Sequence, residues 1–408
     1  MKKKDILELK KRFKKDQCTF TRICGCFVNS EKNIILEIKE TFLNLDEDDY
    51  FKYLEIAKKT LSGTVGNNIL ELNFPSSGET LDTKQLSLIE LKKSKLKDDD
   101  LLDDFYKSII DNYIFDGNYL ILIFHDVYDI ITKTTDNFKV DESEEVFEYV
   151  LCAICPVSLS APGLSYYEEE NTIKSRMRDW IVDAPINGFV YPAFIDRSPD
   201  VNSIMYYTKN PRDIHPELME DALGCFPKET STMQKEKFQL IINESVGADE
   251  EQAIKLYMEI QDNLNAMAED HKSMSFDGDS ESIKLTKNNL QDVLFDSGVD
   301  KENATKIEEF YEESFNDDLP LIENLIDGKI IKVNEQRKIE RALEKQVEFL
   351  QDKLEQVSSE NNMDEEYDII LKVKPEKVDK IKSQVIDGQE YILIPINENE
   401  KTTINELK

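Results

Sequence analysis

His125, Asp126 and Asp129 close the apolar stretch YLILIFHDVYD (119–129), and Asp179 and Asp183 stand four residues apart in NTIKSRMRDWIVDA (171–184). An imidazole beside carboxylates at a strand end suits general acid/base chemistry or Mg²⁺-assisted hydrolysis, where one group moves a proton and others hold charge or metal. The chain carries 84 Asp and Glu residues, so acids fall near one another by number alone, and solvated or capping roles explain the same positions. Only three histidines are present, which argues against a hydrolase with several imidazole metal ligands.

Cys24 and Cys26 (CGC) and Cys152 and Cys155 (CAIC) offer four thiolates, the number a tetrahedral zinc takes. On strands, Cys24 and Cys26 share a face, whereas Cys152 and Cys155 point to opposite faces. Neither pair sits in a turn that presents a metal knuckle, so small buried thiols are the better reading. A redox CxxC also needs a helix N-terminus to depress its thiol pKa, and a strand supplies none.

The loop Ser62-Gly63-Thr64-Val65-Gly66-Asn67-Asn68 lacks the Lys-Ser/Thr ending of a phosphate loop and the third glycine of a dinucleotide fingerprint, and reads as a helix end and turn. The stretch opening at Asp277-Gly278-Asp279 has Ser282 and Asn288 where a calcium loop needs glycine and glutamate. No Gly-x-Ser-x-Gly elbow occurs. The expectation is no metal and no cofactor.

Phosphate-binding chemistry has two candidate sources. Residues 1–15 hold eight basic and two acidic residues, a net of +6 on a chain whose formal charge is -33. Here Lys10, Lys11, Arg12, Lys14 and Lys15 accompany Ile6, Leu7, Leu9 and Phe13, predicting an amphipathic helix with one apolar side. Arg22 lies in a hydrophobic strand, and Arg176, Arg178, Arg197, Lys209 and Arg212 fall near Trp180, Tyr191, Tyr206 and Tyr207. Arginines beside aromatic rings can hold phosphate and stack on bases, or can simply pair with the surplus acids.

The elements that must position these groups follow from periodicity. Cys18 to Val28 and Ile34 to Ile38 read as a hairpin, 46–61 as a helix, and 84–113 as a second helical stretch. Tyr119 to Val127 and Glu148 to Val157 are apolar enough to be central strands of one sheet covered on both faces, joined by a connection containing Asp136, Asn137, Asp141 and Glu142. Asn171 to Ala184 reads as a helix, and Gly188 to Phe194 as a strand that Pro192 assigns to an edge or bulge. From Asp213 to about Asp270 the chain is helical, starting at Pro216-Glu217 with breaks at Gly224 and Gly247. A polar linker at 273–282 precedes helices over 286–297 and 300–315.

Leu343, Val347, Leu350, Leu354 and Val357 then recur at coiled-coil spacing within 334–358. That seam serves intramolecular packing, a homodimer through Leu343, Val347, Leu350 and Leu354, or a partner helix. Strands follow at Tyr367 to Val373, Lys382 to Ile386 and Tyr391 to Ile396, the last two joined by the hairpin signal Asp387-Gly388. The fold class is α+β: 1–212 forms a mixed α/β sheet domain with flanking helices, 213–272 and 283–330 are helical, 334–358 is the coiled-coil helix, and 364–397 is a small C-terminal β unit.

With 408 residues the chain can build two or three domains. The longest strongly apolar run, YLILIF (119–124), is far short of a membrane span, and the basic start is not followed by the apolar stretch of a secretory signal. Six cysteines without an export signal fit reduced thiols, hence a cytoplasmic protein. The net charge repels nucleic acid and anionic membrane everywhere except at the basic start.

Read together and in order, CTFTRICGCFV (18–28), KTLSGTVGNN (59–68), ICPVSLSAPGLSY (154–166), RDWIVDAP (178–185), YYTKNP (206–211) and VIDGQEYILIPI (385–396) resemble an uncharacterised family of Gram-positive anaerobes catalogued as domain of unknown function 4317. That resemblance spans nearly the whole chain and implies no catalytic residues. The order of elements is also similar to that of bacterial nucleoid-associated proteins of ~37 kDa, acidic proteins with chromosome or topoisomerase partners. This similarity implies a non-enzymatic protein binding DNA or DNA-bound proteins. The alternatives are a carboxylate- or metal-dependent hydrolase or nuclease and a coiled-coil adaptor.

Overall fold

The basic start folds as α1 (Lys3–Arg12), because Ile6 and Leu9 recur on one side and are buried, with Phe13 following just past the helix. Leu7, expected on that side, points to solvent instead, since its position on the turn faces away from the line through Ile6, Leu9 and Phe13. The computed structural model describes residues 3–14, 16–75, 82–130, 145–247, 250–274, 283–316, 318–360 and 378–395. The acidic connection of Asp136, Asn137, Asp141 and Glu142, the calcium-like stretch from Asp277 to Ser282 and the strand expected over Tyr367 to Val373 lie outside the described residues.

After α1 come β1 (Phe20–Val28), β2 (Ile34–Thr41), α2 (Glu47–Lys59) and β3 (Ile69–Asn73). The single helical stretch expected over 84–113 is two helices, α3 (Thr83–Lys93) and α4 (Asp99–Asn112). Lys95 and Leu96 take positive φ between them, which no continuous helix allows, and Asp98 caps α4 by accepting from Leu101 N. The two apolar runs form the long pair β4 (Asn118–Ile130) and β5 (Glu145–Leu159), antiparallel in register from Asn118 opposite Val157 to Ile130 opposite Glu145.

The segment expected to be a helix at Asn171 to Ala184 is not helical. A small hairpin, β6 (Leu164–Tyr167) with β7 (Thr172–Ser175), is followed by β8 (Trp180–Val182), which pairs with the end of β5. Next are β9 (Asn187–Tyr191), β10 (Ala193–Ile195), β11 (Ser198–Asp200) and β12 (Ser203–Thr208). Pro192 ends β9 through a cis peptide, yet β9 lies inside the sheet between β5 and β12 rather than at its edge. Its ladder stops at Tyr191, so the missing N–H at Pro192 removes no bond from it.

The main sheet has the order β2-β1-β4-β5-β9-β12-β3, with β8 beside β5, and each of its ladders is antiparallel. Helices cover both faces, which explains the near-continuous apolar character of β4 and β5. Cys24, Ile121, Ile123, Val150 and Tyr206 pack with Leu88, Leu91, Phe105 and Ile109 of α3 and α4. On the other face Ile23, Phe124, Leu151 and Met205 pack with Ile6 and Leu9 of α1 and Leu54 and Ala57 of α2. Gly188 permits this closeness: a Cβ there would stand 2.3 Å from the Cys152 carbonyl oxygen and 2.6 Å from Thr60 Cγ2.

Helical backbone does start at Pro216-Glu217, but it passes at once into a single π-helical turn over Leu218–Ala222, and Gly224 then takes φ +73°. A helical cluster follows: α5 (Ser231–Val246), α6 (Glu250–Met274), α7 (Lys287–Asp296), α8 (Lys301–Phe315) and α9 (Ile322–Leu325), with a core that includes Phe238, Ile260, Leu294 and Tyr311. The chain divides into two compact units, Met1–Glu335 and Gln336–Lys408, and α10 (Gly328–Glu360) begins in the first. The second also contains β13 (Lys382–Ile386) and β14 (Gln389–Leu393), joined at Asp387 and Gly388, both with positive φ as a type I′ turn requires.

Candidate functional site

The pairing of β1 with β4 shifts by one residue: Phe20 faces Asp126 while Arg22 faces His125, leaving Thr21 as the extra residue of a bulge. Bulges re-aim side chains, and this one brings Thr21 Oγ1 to 2.6 Å from His125 Nδ1. The other ring nitrogen, His125 Nε2, lies 3.1 Å from Glu148 Oε1, and Lys92 Nζ of α3 stands 3.8 Å from Glu148 Oε2. Glu148 reaches His125 diagonally across the ladder, because His125 faces Val150 and Glu148 faces Val127.

An ionised carboxylate only accepts, so Nε2 carries the proton and donates to Glu148. Burial of the fully enclosed ring pulls its pKa below the ordinary 6.5, and the opposing pull of Glu148 does not overcome it. The neutral ring therefore has a bare Nδ1 that accepts from the Thr21 hydroxyl. Thr21 itself is exposed. A hydroxyl, a neutral imidazole and an orienting carboxylate in this order are the parts of a nucleophile relay.

Asp126, the neighbour of His125, points to the opposite face and is buried, accepting from Tyr149 Oη at 2.6 Å and from Val127 N at 2.9 Å. Asp129 continues β4 opposite Val146, and its side chain lies outside the described residues. Asp179 and Asp183 flank β8 and are exposed, with Asp183 Oδ2 accepting from Ser158 Oγ at 3.0 Å. They are not four apart on a helix. β8 joins β5 at Val157, seven residues from the Val150 that faces His125, which is about 24 Å along a strand. The five predicted acid/base residues therefore do not meet in one pocket. Thr21 and Glu148, which sequence reasoning missed, are the groups that His125 does meet, with Lys92 beside Glu148.

Cys24, Cys26 and Cys152 lie in the core beneath α3 and α4, whereas Cys155 lies in the core beneath α1 and α2. Burial pushes Cys26 and Cys155 up to about 12, away from the thiolate a metal needs. The 62–68 loop is a turn fastened by Asn68, whose Oδ1 accepts from Thr64 N at 3.1 Å.

The basic residues separate into two kinds. Arg178 donates from Nε to the Ser160 carbonyl at 2.7 Å, Arg197 pairs with Glu8, and Arg212 pairs with Glu236. Arg176 is exposed, and Arg22 is half-buried with its Nε unbonded among the described residues. Trp180 is exposed, but Tyr191, Tyr206 and Tyr207 are core residues and cannot stack on bases. On α1, Lys11 is exposed and Lys10 half-buried, with Lys14 exposed just beyond; Arg12 donates to Thr19 Oγ1, and Lys15 lies outside the described residues. Burial, and then the adjacent Lys58 of α2, lower the pKa of Lys10. Two helices thus bring lysines together on one side of the sheet.

On α10, Leu343, Val347, Leu350 and Leu354 are all more than half exposed. Among the described residues no helix is long and apolar enough to cross a membrane. Fold and side-chain arrangement together define an α+β protein with an antiparallel sheet sandwiched between helices and a hydroxyl–imidazole–carboxylate relay at one end. The chain matches the family described as Domain of unknown function (DUF4317) over residues 1–407 and belongs to it. No curated protein and no solved structure matches the chain.

Proposed function

We propose that this chain is a nucleoid-associated protein that holds DNA through the lysines of α1 and pairs with a second copy through α10. The observation that carries the reading is the basic side of α1 in a chain of formal charge -33: Lys11 and Lys14 are exposed, and Lys58 of α2 adds to the burial that lowers the pKa of the half-buried Lys10. Like charges brought together in so acidic a protein raise the folded state's energy unless an anion sits between them, and a phosphate backbone supplies one. The α10 stripe supports pairing, because Leu343, Val347, Leu350 and Leu354 keep seam spacing while exposed.

Fluorescence anisotropy of a labelled DNA duplex, titrated at several salt concentrations, tests the contact. Affinity falls steeply with salt as counterions are released, and Lys10→Glu with Lys14→Glu abolishes it. A chain that binds no duplex, or a double variant that binds as well as the parent, refutes the reading. Sedimentation velocity tests pairing: Leu350→Lys converts a dimer to a monomer, and an unchanged species removes the α10 contact.

A second reading rests on the Thr21–His125–Glu148 relay, and makes the chain an acyl hydrolase. Thr21 Oγ1 attacks an ester carbonyl, its proton passes to His125 Nδ1, and the resulting imidazolium protonates the departing alkoxide. Water then cleaves the threonyl ester by the same relay. Intact-mass measurement after exposure to p-nitrophenyl acetate looks for the acetyl group on Thr21; unmodified Thr21 excludes the chemistry.

A further inference from the structure

We propose that the cleft between α3, α4 and the π-helical turn Leu218–Ala222 is a binding site for a small carboxylate carried on an apolar body. The cleft has a volume of ≈ 380 Å³, inside the ~300–1,000 Å³ range of small-molecule sites. Its floor is made of the buried side chains of Leu88, Leu91, Phe105 and Leu223. A ligand with an apolar body would remove that floor from water.

The polar centre is Lys84, in the first turn of α3. Its Nζ donates to Ser108 Oγ at 2.7 Å, and the Ser108 hydroxyl donates to the Ala222 carbonyl at 3.1 Å. Ser108 has thus committed its only proton, while the ammonium has three to give and uses one of them here. Among the described residues Lys84 Nζ has no carboxylate partner, although the chain holds 84 acids; the nearby Asp82 carboxylate caps α3 instead, accepting from Lys84 N at 2.8 Å. An anionic head entering the cleft meets a half-buried cation whose remaining N–H groups have no acceptor among the described residues.

The arrangement is held from behind. Gly224, at φ +73°, packs so closely that a Cβ there would stand 2.9 Å from Lys84 Cβ, so its backbone props the lysine stem. The π turn that supplies the Ala222 carbonyl is a rare geometry found frequently at functional sites. Asp104, Lys107 and Asp111 are exposed around the opening, so the mixed charge of the rim leaves the half-buried Lys84 to set the preference. The cleft lined by Arg212, Lys228 and Lys237 differs, because Arg212 and Lys237 are already paired with Glu236 and Glu229 and Lys228 donates to the Glu71 carbonyl.

Octanoate is the probe, compared with octan-1-ol and octylammonium on the full chain by calorimetry and by amide chemical shifts. Octanoate saturates one site, perturbs the amides of Lys84, Ser108 and Ala222, and binds at least tenfold more tightly than either comparison molecule. Lys84→Met keeps the stem and loses the charge, and weakens octanoate at least tenfold; Ser108→Ala, which leaves the cation in place, weakens it less. Absence of saturable octanoate binding, equal binding of octan-1-ol, or an unchanged affinity in a folded Lys84→Met chain overturns the proposal. If Lys84→Met does not fold, the ratio of octanoate to octylammonium on the unaltered chain decides it.

Discussion

Tyr149 and Asp126 face each other across the β4–β5 ladder, and the tyrosine hydroxyl donates to Asp126 Oδ2 over 2.6 Å within a fully buried pair. The next pair along the ladder puts His125 on the opposite face. One hairpin therefore fixes two buried titratable side chains in separate layers.

Removing the hydroxyl with Tyr149→Phe leaves the Asp126 carboxylate short of a donor where water cannot replace it. The expected loss is about 1.5–3 kcal/mol, the range for hydrogen bonds to charged groups. Urea denaturation measures it, and an unaltered midpoint would show that Asp126 finds another donor.

His125 makes the fold sensitive to acid. Its folded pKa is depressed, so the unfolded chain binds the proton more readily; the contribution is present above the ordinary value of 6.5 and is lost as the pH falls below it, through the lower folded pKa. Thermal unfolding recorded from pH 8 to pH 5 should show a decline that is shallower in His125→Gln. Parallel curves for the two proteins would contradict this assignment.

Gly188→Ala drives a methyl group into the Cys152 carbonyl and Thr60, joining strand to helix end with no space between them. Overpacking of this kind costs about 1–3 kcal/mol. Differential scanning calorimetry should show a lowered Tm, and a change at Gly163, where a Cβ meets nothing within 4 Å, serves as the silent comparison.

If the relay moves protons, Thr21→Val removes the nucleophile while keeping the branched shape, and Thr21→Ser retains it. Hydrolysis of p-nitrophenyl acetate should disappear in the first and persist in the second, and His125→Gln should slow it by roughly 10²–10⁴-fold. Equal rates in all the variants would assign the turnover to the surface.

Local pattern made much of this architecture readable. Helices α2, α7 and α8, strands β4 and β5 and the Asp387–Gly388 turn follow from periodicity and turn chemistry within a few residues. Ile173, Met177 and Ile181 show why the rest was not: their spacing imitates one face of a helix, yet all three are exposed on or beside short strands set by pairing with β5 and within a hairpin. The site divides in the same way. His125 stood out at the end of an apolar strand, but Thr21 depends on a one-residue shift in pairing with a strand 104 residues away, and Lys92 arrives from a helix with no local relation to either.

The alternation of β4 and β5 between two layers also acts as a proofreading device. A slip of one residue would turn every side chain of the shifted strand over, exposing His125 to the surroundings of Asp126 and parting Glu148 and Tyr149 from their partners. An error in alignment is thus rejected twice, once on each side, by groups that cannot stay buried alone. Strands that were merely greasy on both faces would tolerate the slip; these encode their own alignment.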